Sequence, residues 1–546
     1  MKELLASLTL KEKIGQLTQL APFLLMRDIH VEIAGYVRHL NLDEEKIFSI
    51  GSILGIGSAQ DMIQVQTKYL EKSRHKIPLL FMSDIIHGYK TIFPVPLAMS
   101  TSFRPELATL AARISAKEAA TAGIHVTFSP MADVSRDPRW GRVVEGFGED
   151  ALLTGDFAAA MVKGYQGDDL KKEDSIASCV KHFAGYGASE GGRDYNHVDV
   201  SRISLFQNYL PAYKKAIDAG ARMIMTPFNT LGYVPCTTNK FLLRDVLRTL
   251  WRFDGVTISD YDSLQQTIAH GFSEDQKEAA KEGIFAGLDI EMASTCYLSH
   301  VEELIAKGEI TLDLIDEAVL RILELKRDVG LFENPFKGAN AALEEQLVYS
   351  KEHMEATLRV AHESMVLLNN NGILPLKKNV KIALIGPYSE SRSTVGPWSW
   401  HGRRDYHPTL AEALKDQSIY VNSKESMDLY SDEEINELKQ ADVILCAIGE
   451  KERESGEAHS KTDLTIPRNQ SSLVQLAKSL QKPCVVLLHH GRPLLLESIQ
   501  EADAILDVFF LGSSHAEAVK DVLLGHVNPS GKLTMSYPRH GGQIPV

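Results

Sequence analysis

Cysteine is scarce in this chain: there are five among 546 residues, Cys179, Cys236, Cys296, Cys446 and Cys484, with no C-x-x-C pair. An odd, widely scattered set argues against a disulfide framework and for reduced, mostly buried thiols in a reducing compartment. Metal and nucleotide signatures are missing too. There is no H-E-x-x-H, no P-loop and no paired Cys/His zinc spacing, and GIGS at 55–58 is a lone glycine pattern. Neither a metal nor another cofactor is expected. No apolar run approaches the roughly 20 residues that span a bilayer. The N-terminal MKELLASLTLKEKIGQL breaks its apolar positions with charges, which gives a helical stripe and no secretion signal. These absences point to the cytoplasm. Positive charge is also short, 58 Lys and Arg against 72 Asp and Glu, for a formal net charge of -14. Nucleic acid and anionic membranes reward clustered cations, so neither is expected as a partner; a neutral or cationic small ligand is.

What is present is ordinary globular composition, 44% hydrophobic and 24% charged, in a chain too long for one hydrophobic core. Seven apolar runs alternate with amphipathic stretches over the first 330 residues: 51–57, 78–84, 124–133, 176–187, 221–229, 255–260 and 287–292. Many end in polar groups, among them Asp84, Asp133, Lys181 with His182, Asn229, Asp260 and Glu291. This is the βα rhythm of a parallel sheet, and the lack of a Gly-rich dinucleotide turn favours a TIM-like (β/α)8 barrel over an open sheet. Glycine, proline and asparagine cluster in GLFENPFKGAN (330–340). The barrel is therefore placed at 1–334, a linker at 335–350 and a smaller α/β sandwich domain at 351–546. The second domain is expected to open with an amphipathic helix over 352–370, followed by buried strands at 381–387, 442–450, 483–491 and 503–512. The final GKLTMSYPRHGGQIPV is extended and stops without a capping element, as a loose end or a chain cut before another module does.

Asp260 closes the run GVTISD, where its carboxylate faces the active end of a barrel while Asp262 points elsewhere; a helix-capping role fits the position equally. Lys181 and His182 both reach one ligand only if their strand has ended, and there they suit sugar hydroxyls or hold a carboxylate ionised. A surface Lys with a structural His, or a Schiff-base Lys, are the competing readings. SRDPRWGRVVEGFGED (135–150) carries three Arg, four acids and a Trp around turn residues. Most of these charges are expected to brace one another while one Arg reaches a ligand. Asp84 is a further strand-end acid able to accept two hydroxyls. In the second domain, the loop 449–467 carries Glu450, Glu452, Glu454 and Glu457, either a solvated acidic loop or a group lent to a neighbour's site. Trp398 and Trp400 are core residues or a stacking platform for a sugar ring.

Together DIIHG, SPMADVSRDPRWGRVVEGFGED, KHFAGYGASEGGRDYN, MTPFN, GVTISDYDS, AGLDIEM, GLFENP, VLLNNNGILPL, SGEAHSKTDLTIPRNQ and GRPLLL resemble glycoside hydrolase family 3, in order and over nearly the whole chain. The resemblance implies a barrel followed by an α/β sandwich that hydrolyses β-glycosides with retention, as a β-glucosidase acting on a small carbohydrate. By position Asp260 matches the nucleophile in S-D-[W/Y]. Glu457 matches the acid/base through the pattern GEA-x-S-[KR]-x-D, and Glu454 is the alternative. Asp84, Arg142, Lys181 and His182 match the hydroxyl-holding set of the −1 subsite, and Met225 and Phe228 the apolar positions under the ring. Tyr261 stands where many members have Trp, so the +1 side differs. Asp84 matches glucosidases, whereas xylosidases tend to have Glu there. KHFAGYG, in place of KHFPGHG, and the presence of a second domain disfavour the hexosaminidase branch. Relatives often continue into a fibronectin-like module.

Retention requires two carboxyls about 5 to 5.5 Å apart, so Asp260 and Glu457 must meet through domain docking. Arg142, Lys181 and His182 are expected to hold Asp260 ionised, and Asp260 or burial to keep Glu457 protonated. The rivals are a β-glycosyl phosphorylase or transglycosylase, a β-xylosidase, a non-catalytic sugar-binding protein and a Schiff-base enzyme on Lys181. Oligomeric state, a homodimer included, is left open by the sequence, as are the preferred linkage and aglycone.

Overall fold

A computed structural model describes residues 1–26, 42–417 and 419–545. Val546, at the end that reads either as loose or as cut before another module, lies outside the described residues.

The first domain is built on strands β1 (Thr18–Leu20), β2 (Ser52–Leu54), β3 (Leu80–Ser83), β4 (Val126–Thr127), β5 (Ala177–Val180) and β6 (Met223–Thr226), a small hairpin of β7 (Thr230–Leu231) and β8 (Val234–Pro235), then β9 (Val256–Ser259) and β10 (Glu291–Met292). The eight barrel strands are parallel in the order β10-β1-β2-β3-β4-β5-β6-β9. A parallel bridge between Ile258 and Ile290 joins the two ends. The strands are buried throughout, which is why they read as solid apolar runs without alternation. Helices such as Ala151–Gln166 and Gln276–Ala286 wrap the outside, each started by an Asp side chain, Asp150 or Asp275, that accepts an orphan backbone N–H. Gly287, at φ +95°, ends the second of these in the left-handed conformation that a side chain resists. The sequence shows seven of the eight strands. It hides β1, whose three residues follow directly on an amphipathic helix and are too few to show a period of their own.

The second domain is a six-stranded sheet, β11 (Val366–Asn370), β12 (Ile382–Ile385), β13 (Ile419–Asn422), β14 (Val443–Gly449), β15 (Cys484–His489) and β16 (Ala504–Asp507), in the order β11-β16-β15-β14-β12-β13. Only β11 runs antiparallel to its neighbour. Here the expected helix over 352–370 is corrected: the helix is Lys351–Glu363, and Val366–Asn370 leaves it to become the edge strand β11 on β16. The run Met365-Val-Leu-Leu satisfies a helix stripe or a strand equally, and sheet pairing decides between them.

The two faces of this sheet have different partners. Ile385, Ile444, Val486 and Leu488 pack with Leu473 and Val474 of the helix Arg468–Ser479. Leu384, Leu445, Val485 and Leu487 belong instead to a core that also contains Val95, Trp140, Val143, Tyr186 and Phe228 of the barrel. The domains thus share a continuous hydrophobic core, in which each buried Leu or Phe contributes about 1.5–3 kcal/mol. The C-terminal stretch is anchored across the same seam: the Lys532 amide donates to Thr101 O at 2.8 Å, and Ser536 Oγ to Glu149 Oε1 at 2.7 Å.

Candidate active site

Four barrel residues at or just beyond strand ends converge above the sheet. β5 ends at Val180, so Lys181 and His182 lie beyond the strand, His182 turned toward Asp260, which follows β9, and Lys181 toward Asp84. Lys181 Nζ donates to Asp84 Oδ1 at 2.8 Å. Asp260 Oδ1 accepts from the Tyr261 amide at 2.7 Å, and its Oδ2 has no hydrogen-bond partner although buried. His182 Nε2 lies 3.4 Å from that oxygen. The other edge of the imidazole is fixed: Nδ1 donates to Asp133 Oδ2 at 2.8 Å, and Tyr213 hydroxyl donates to Asp133 Oδ1 at 2.6 Å. Arg142 comes from the short turn Gly141–Glu145. Its guanidinium is bidentate on Glu145, at 2.8 and 2.9 Å, which leaves Nη1 buried without a hydrogen-bond partner and 3.8 Å from Glu457 Oε2.

Glu457 arrives from the second domain, on the loop after β14. That loop lies along the barrel through main-chain contacts: the Gly456 amide donates to Gly141 O at 2.8 Å, and the Lys461 amide to Arg139 O at 2.9 Å. The fully buried Arg492 sits beneath, paired with Glu450 at 2.8 Å and donating to the carbonyls of Arg139 and His459 at 3.1 and 2.8 Å and to that of Glu454. The loop is therefore not simply a solvated acidic stretch: Glu450 is 0% exposed, and Glu452 is buried against Arg404. A second loop roofs the site. His87 of the DIIHG segment holds it through Nε2, 2.7 Å from Pro397 O, and Trp398 lies across Lys181 and Arg142, 4.8 and 5.6 Å from its ring.

The resulting cavity, about 460 Å³, is lined by Asp84, Arg142, Lys181, Met225, Phe228, Asp260, Tyr261 and Glu457 from the sequence-derived set, with Trp398 and Trp400. Leu54, Phe128, Tyr195, Gln266 and Met292 also line it; sequence reasoning missed them. His182 does not line it and stands behind Asp260. Glu454 lies away from it: its carboxylate accepts from the Lys451 amide at 2.7 Å. The mouth opens into an outer cavity of about 840 Å³, bounded by Tyr195, Trp398, Trp400 and Glu457 and by second-domain residues such as Tyr388, Arg404, Lys451 and Glu452.

Electrostatics correct two expectations. Burial is the largest influence on Asp260 and raises its carboxyl; Arg142 and Lys181 pull it down, Glu457 pushes it up, and the net direction is upward. His182 adds no cation to this balance, because burial, with Arg142 and Lys181 nearby, lowers its imidazole well below the ordinary range and keeps it neutral. Lys181 stays charged: burial is the largest single influence and opposes it, but the Asp84, Glu145 and Asp260 carboxylates together outweigh burial and Arg142 and raise the ammonium. Burial also pushes Asp133 up to about 7.

A closed parallel barrel with cations, carboxylates and apolar walls around a cavity at its strand C-termini, capped by a second domain, defines an α/β-barrel enzyme for a small polar ligand. The description "Glycosyl hydrolase family 3 N terminal domain" fits residues 9–325 and "Glycosyl hydrolase family 3 C-terminal domain" residues 365–546. The "Periplasmic beta-glucosidase" of Salmonella typhimurium is 38% identical over 100% of this chain and 74% of its own length. A "Beta-xylosidase" of Formosa agariphila is 30% identical over 95% of this chain and 75% of its own. The crystal structure of a beta-glucosidase from Listeria innocua in complex with glucose superposes with a TM-score of 0.95 at 43% identity, over all of this chain and 77% of that one. The chain belongs to glycosyl hydrolase family 3 and is a glycoside hydrolase.

Proposed function

We propose that the chain is a retaining β-glucosidase that removes terminal non-reducing β-D-glucosyl residues, with Asp260 as nucleophile and Glu457 as acid/base. The observation that carries this reading is the entry of these two carboxyls into one cavity from different domains. Asp84, Lys181 and the unpartnered edge of Arg142 supply acceptors and donors for sugar hydroxyls, and Met225 and Phe228 give the ring an apolar face. Asp260 Oδ2 attacks the anomeric carbon while the Glu457 proton passes to the departing glycosidic oxygen. Water then gives its proton to Glu457 and its oxygen to the anomeric carbon, which releases Asp260 and restores the β configuration. Glucosyl is preferred to xylosyl because Asp84 is one methylene shorter than the Glu of xylosidases and leaves room for the exocyclic carbinol. The Formosa relative keeps β-xylosidase as the second reading. The cytoplasm remains the proposed compartment on the strength of five buried thiols, none in a disulfide although Cys446 and Cys484 lie 3.7 Å apart, against a relative named periplasmic; cell fractionation decides it.

The test is chemical rescue. Glu457→Ala is expected to lose activity on phenyl β-glucoside and, on 2,4-dinitrophenyl β-glucoside, whose leaving group needs no acid, to be accelerated by azide with β-glucosyl azide as product, while Glu454→Ala behaves as the parent. Asp260→Gly is expected to be inactive on every β-glucoside, and NMR of the parent reaction to show β-glucose first. Full activity of Asp260→Gly, or α-glucose as first product, sinks the reading.

A further inference from the structure

The acid/base carboxyl must present one defined oxygen to the leaving group, although it is carried on a loop of the opposite domain. Two adjacent barrel residues meet that loop, one at the carboxyl and one at the backbone beside it. Tyr195 hydroxyl donates to Glu457 Oε1 at 2.7 Å, while Glu457 Oε2 faces Arg142. Next to it, the buried Asp194 gathers donors from both domains. Its Oδ1 accepts from Trp140 Nε1 at 3.0 Å and from the Tyr186 hydroxyl, and its Oδ2 accepts at 2.7 Å from the amide of Ala458, the residue after Glu457. The Asp194 amide donates to Ser460 Oγ at 2.9 Å, and that hydroxyl donates to Gly192 O at 2.7 Å. Tyr195 is itself braced: its ring meets Phe228 edge-on at 4.8 Å, and its backbone sits at φ +63°, in the left-handed region that non-glycine residues avoid.

We infer that Asp194 and Tyr195 are the positioning pair for the acid/base, Asp194 setting where the Glu457 backbone lies and Tyr195 setting which carboxyl oxygen carries the transferable proton. The inference rests on reading Glu457 as the acid/base. With Oε1 occupied as acceptor for the Tyr195 hydroxyl, the proton resides on Oε2. As the bond from the anomeric carbon to the glycosidic oxygen breaks, that proton moves from Oε2 to the leaving oxygen and Asp260 Oδ2 bonds to the carbon. In the second half, water returns a proton to Oε2 and bonds through oxygen to the same carbon. Tyr195 keeps its own proton through both halves, since burial and the Glu457 carboxylate raise its hydroxyl far above the ordinary range.

Leaving-group dependence separates this role from a merely structural one. A 2,4-dinitrophenolate departs without a proton, whereas a phenolate or a sugar alkoxide needs one, and kcat/KM reports the steps up to that departure. Tyr195→Phe keeps the ring on Phe228. It is expected to lower kcat/KM about 10- to 100-fold on phenyl β-glucoside and less than about threefold on 2,4-dinitrophenyl β-glucoside, a portion of what general acid catalysis supplies. Asp194→Asn, which leaves one acceptor for the donors that a carboxylate satisfies, is expected to show the same discrimination. In a Glu457→Ala background, Tyr195→Phe is expected to change phenyl β-glucoside turnover by less than about twofold, because a residue that acts through another has nothing left to position. Equal losses on both substrates, no loss on the phenyl substrate, or a full further loss in the Glu457→Ala background would overturn the assignment. If Glu457→Ala shows no leaving-group dependence, the acid/base reading itself fails and the pair loses its target with it.

Discussion

Asp260 is held between opposing influences, and those that come from charged neighbours can each be probed by one substitution. Activity on an activated aryl β-glucoside needs this carboxyl ionised and needs no acid, so the acidic limb of its pH profile reports Asp260. Burial raises that carboxyl, Arg142 and Lys181 lower it, and Glu457 raises it only when ionised. Glu457 carries its proton in the reactive form, so Glu457→Gln exchanges one neutral neighbour for another and the acidic limb should stay in place, whereas Lys181→Met removes a positive neighbour and should move the limb to higher pH by about one unit. Profiles of kcat/KM with 2,4-dinitrophenyl β-glucoside check both, and a limb that moves to lower pH in Lys181→Met refutes the balance. At this scale the sequence was informative where chemistry coincides with strand ends: Asp84, Lys181 and Asp260 could be picked out because apolar runs stop there. Tyr195 could not, because its importance comes from contact with a residue 262 positions away. Nor could the neutrality of His182, since charge state depends on burial that no spacing reveals.

Among elements, the decisive fit is between loops. Gly141, on the barrel turn that carries Arg142, faces the Glu457 loop so closely that a Cβ there would lie 2.2 Å from Gly456 O and 2.6 Å from His459 O. Backbone cannot yield as a flexible side chain does, so Gly141→Ala must displace one loop from the other. A displacement of about 1 Å costs roughly 100-fold when it misplaces a reacting group. Gly141→Ala is accordingly expected to lower kcat/KM on phenyl β-glucoside by about that factor while far-UV circular dichroism stays that of the parent; parental activity refutes the close fit. The segment SRDPRWGRVVEGFGED was legible as a charged turn whose side chains brace one another, and Arg142 alone of its three arginines lines the cavity. Its service as a seat for the other domain was not legible, because glycine spacing alone does not tell a turn from a close approach. The misplaced boundary of the helix at 352–370 has a similar cause: Val366–Asn370 is an edge strand by virtue of β16, which lies far along the chain.

For the whole molecule, the barrel was legible from seven buried strands, and the second domain from its own buried runs. The docking of the two was inferred from the need to bring Asp260 and Glu457 together, and no periodicity announced it. The core shared by Trp140, Tyr186 and Phe228 with Leu384, Leu445 and Val485 would be opened to water if the domains were parted. Produced separately, segments 1–334 and 351–546 are therefore expected to give no turnover of aryl β-glucosides and to self-associate through the exposed face, as size-exclusion chromatography would show. Parental turnover by segment 1–334 alone refutes a site completed by the second domain.

The cavity has an inner part walled mostly by the barrel and an outer part walled mostly by the second domain, and the loops between them meet largely through backbone atoms. Backbone amides and carbonyls do not change when side chains drift. Exchange of one half of such a molecule for a cousin's half would keep those backbone contacts only if the newcomer also brought side chains that fit the core around Trp140, Tyr186 and Phe228. The pocket for a sugar and the pocket for what that sugar is attached to can then drift at different rates, but they are inherited as one moulded pair.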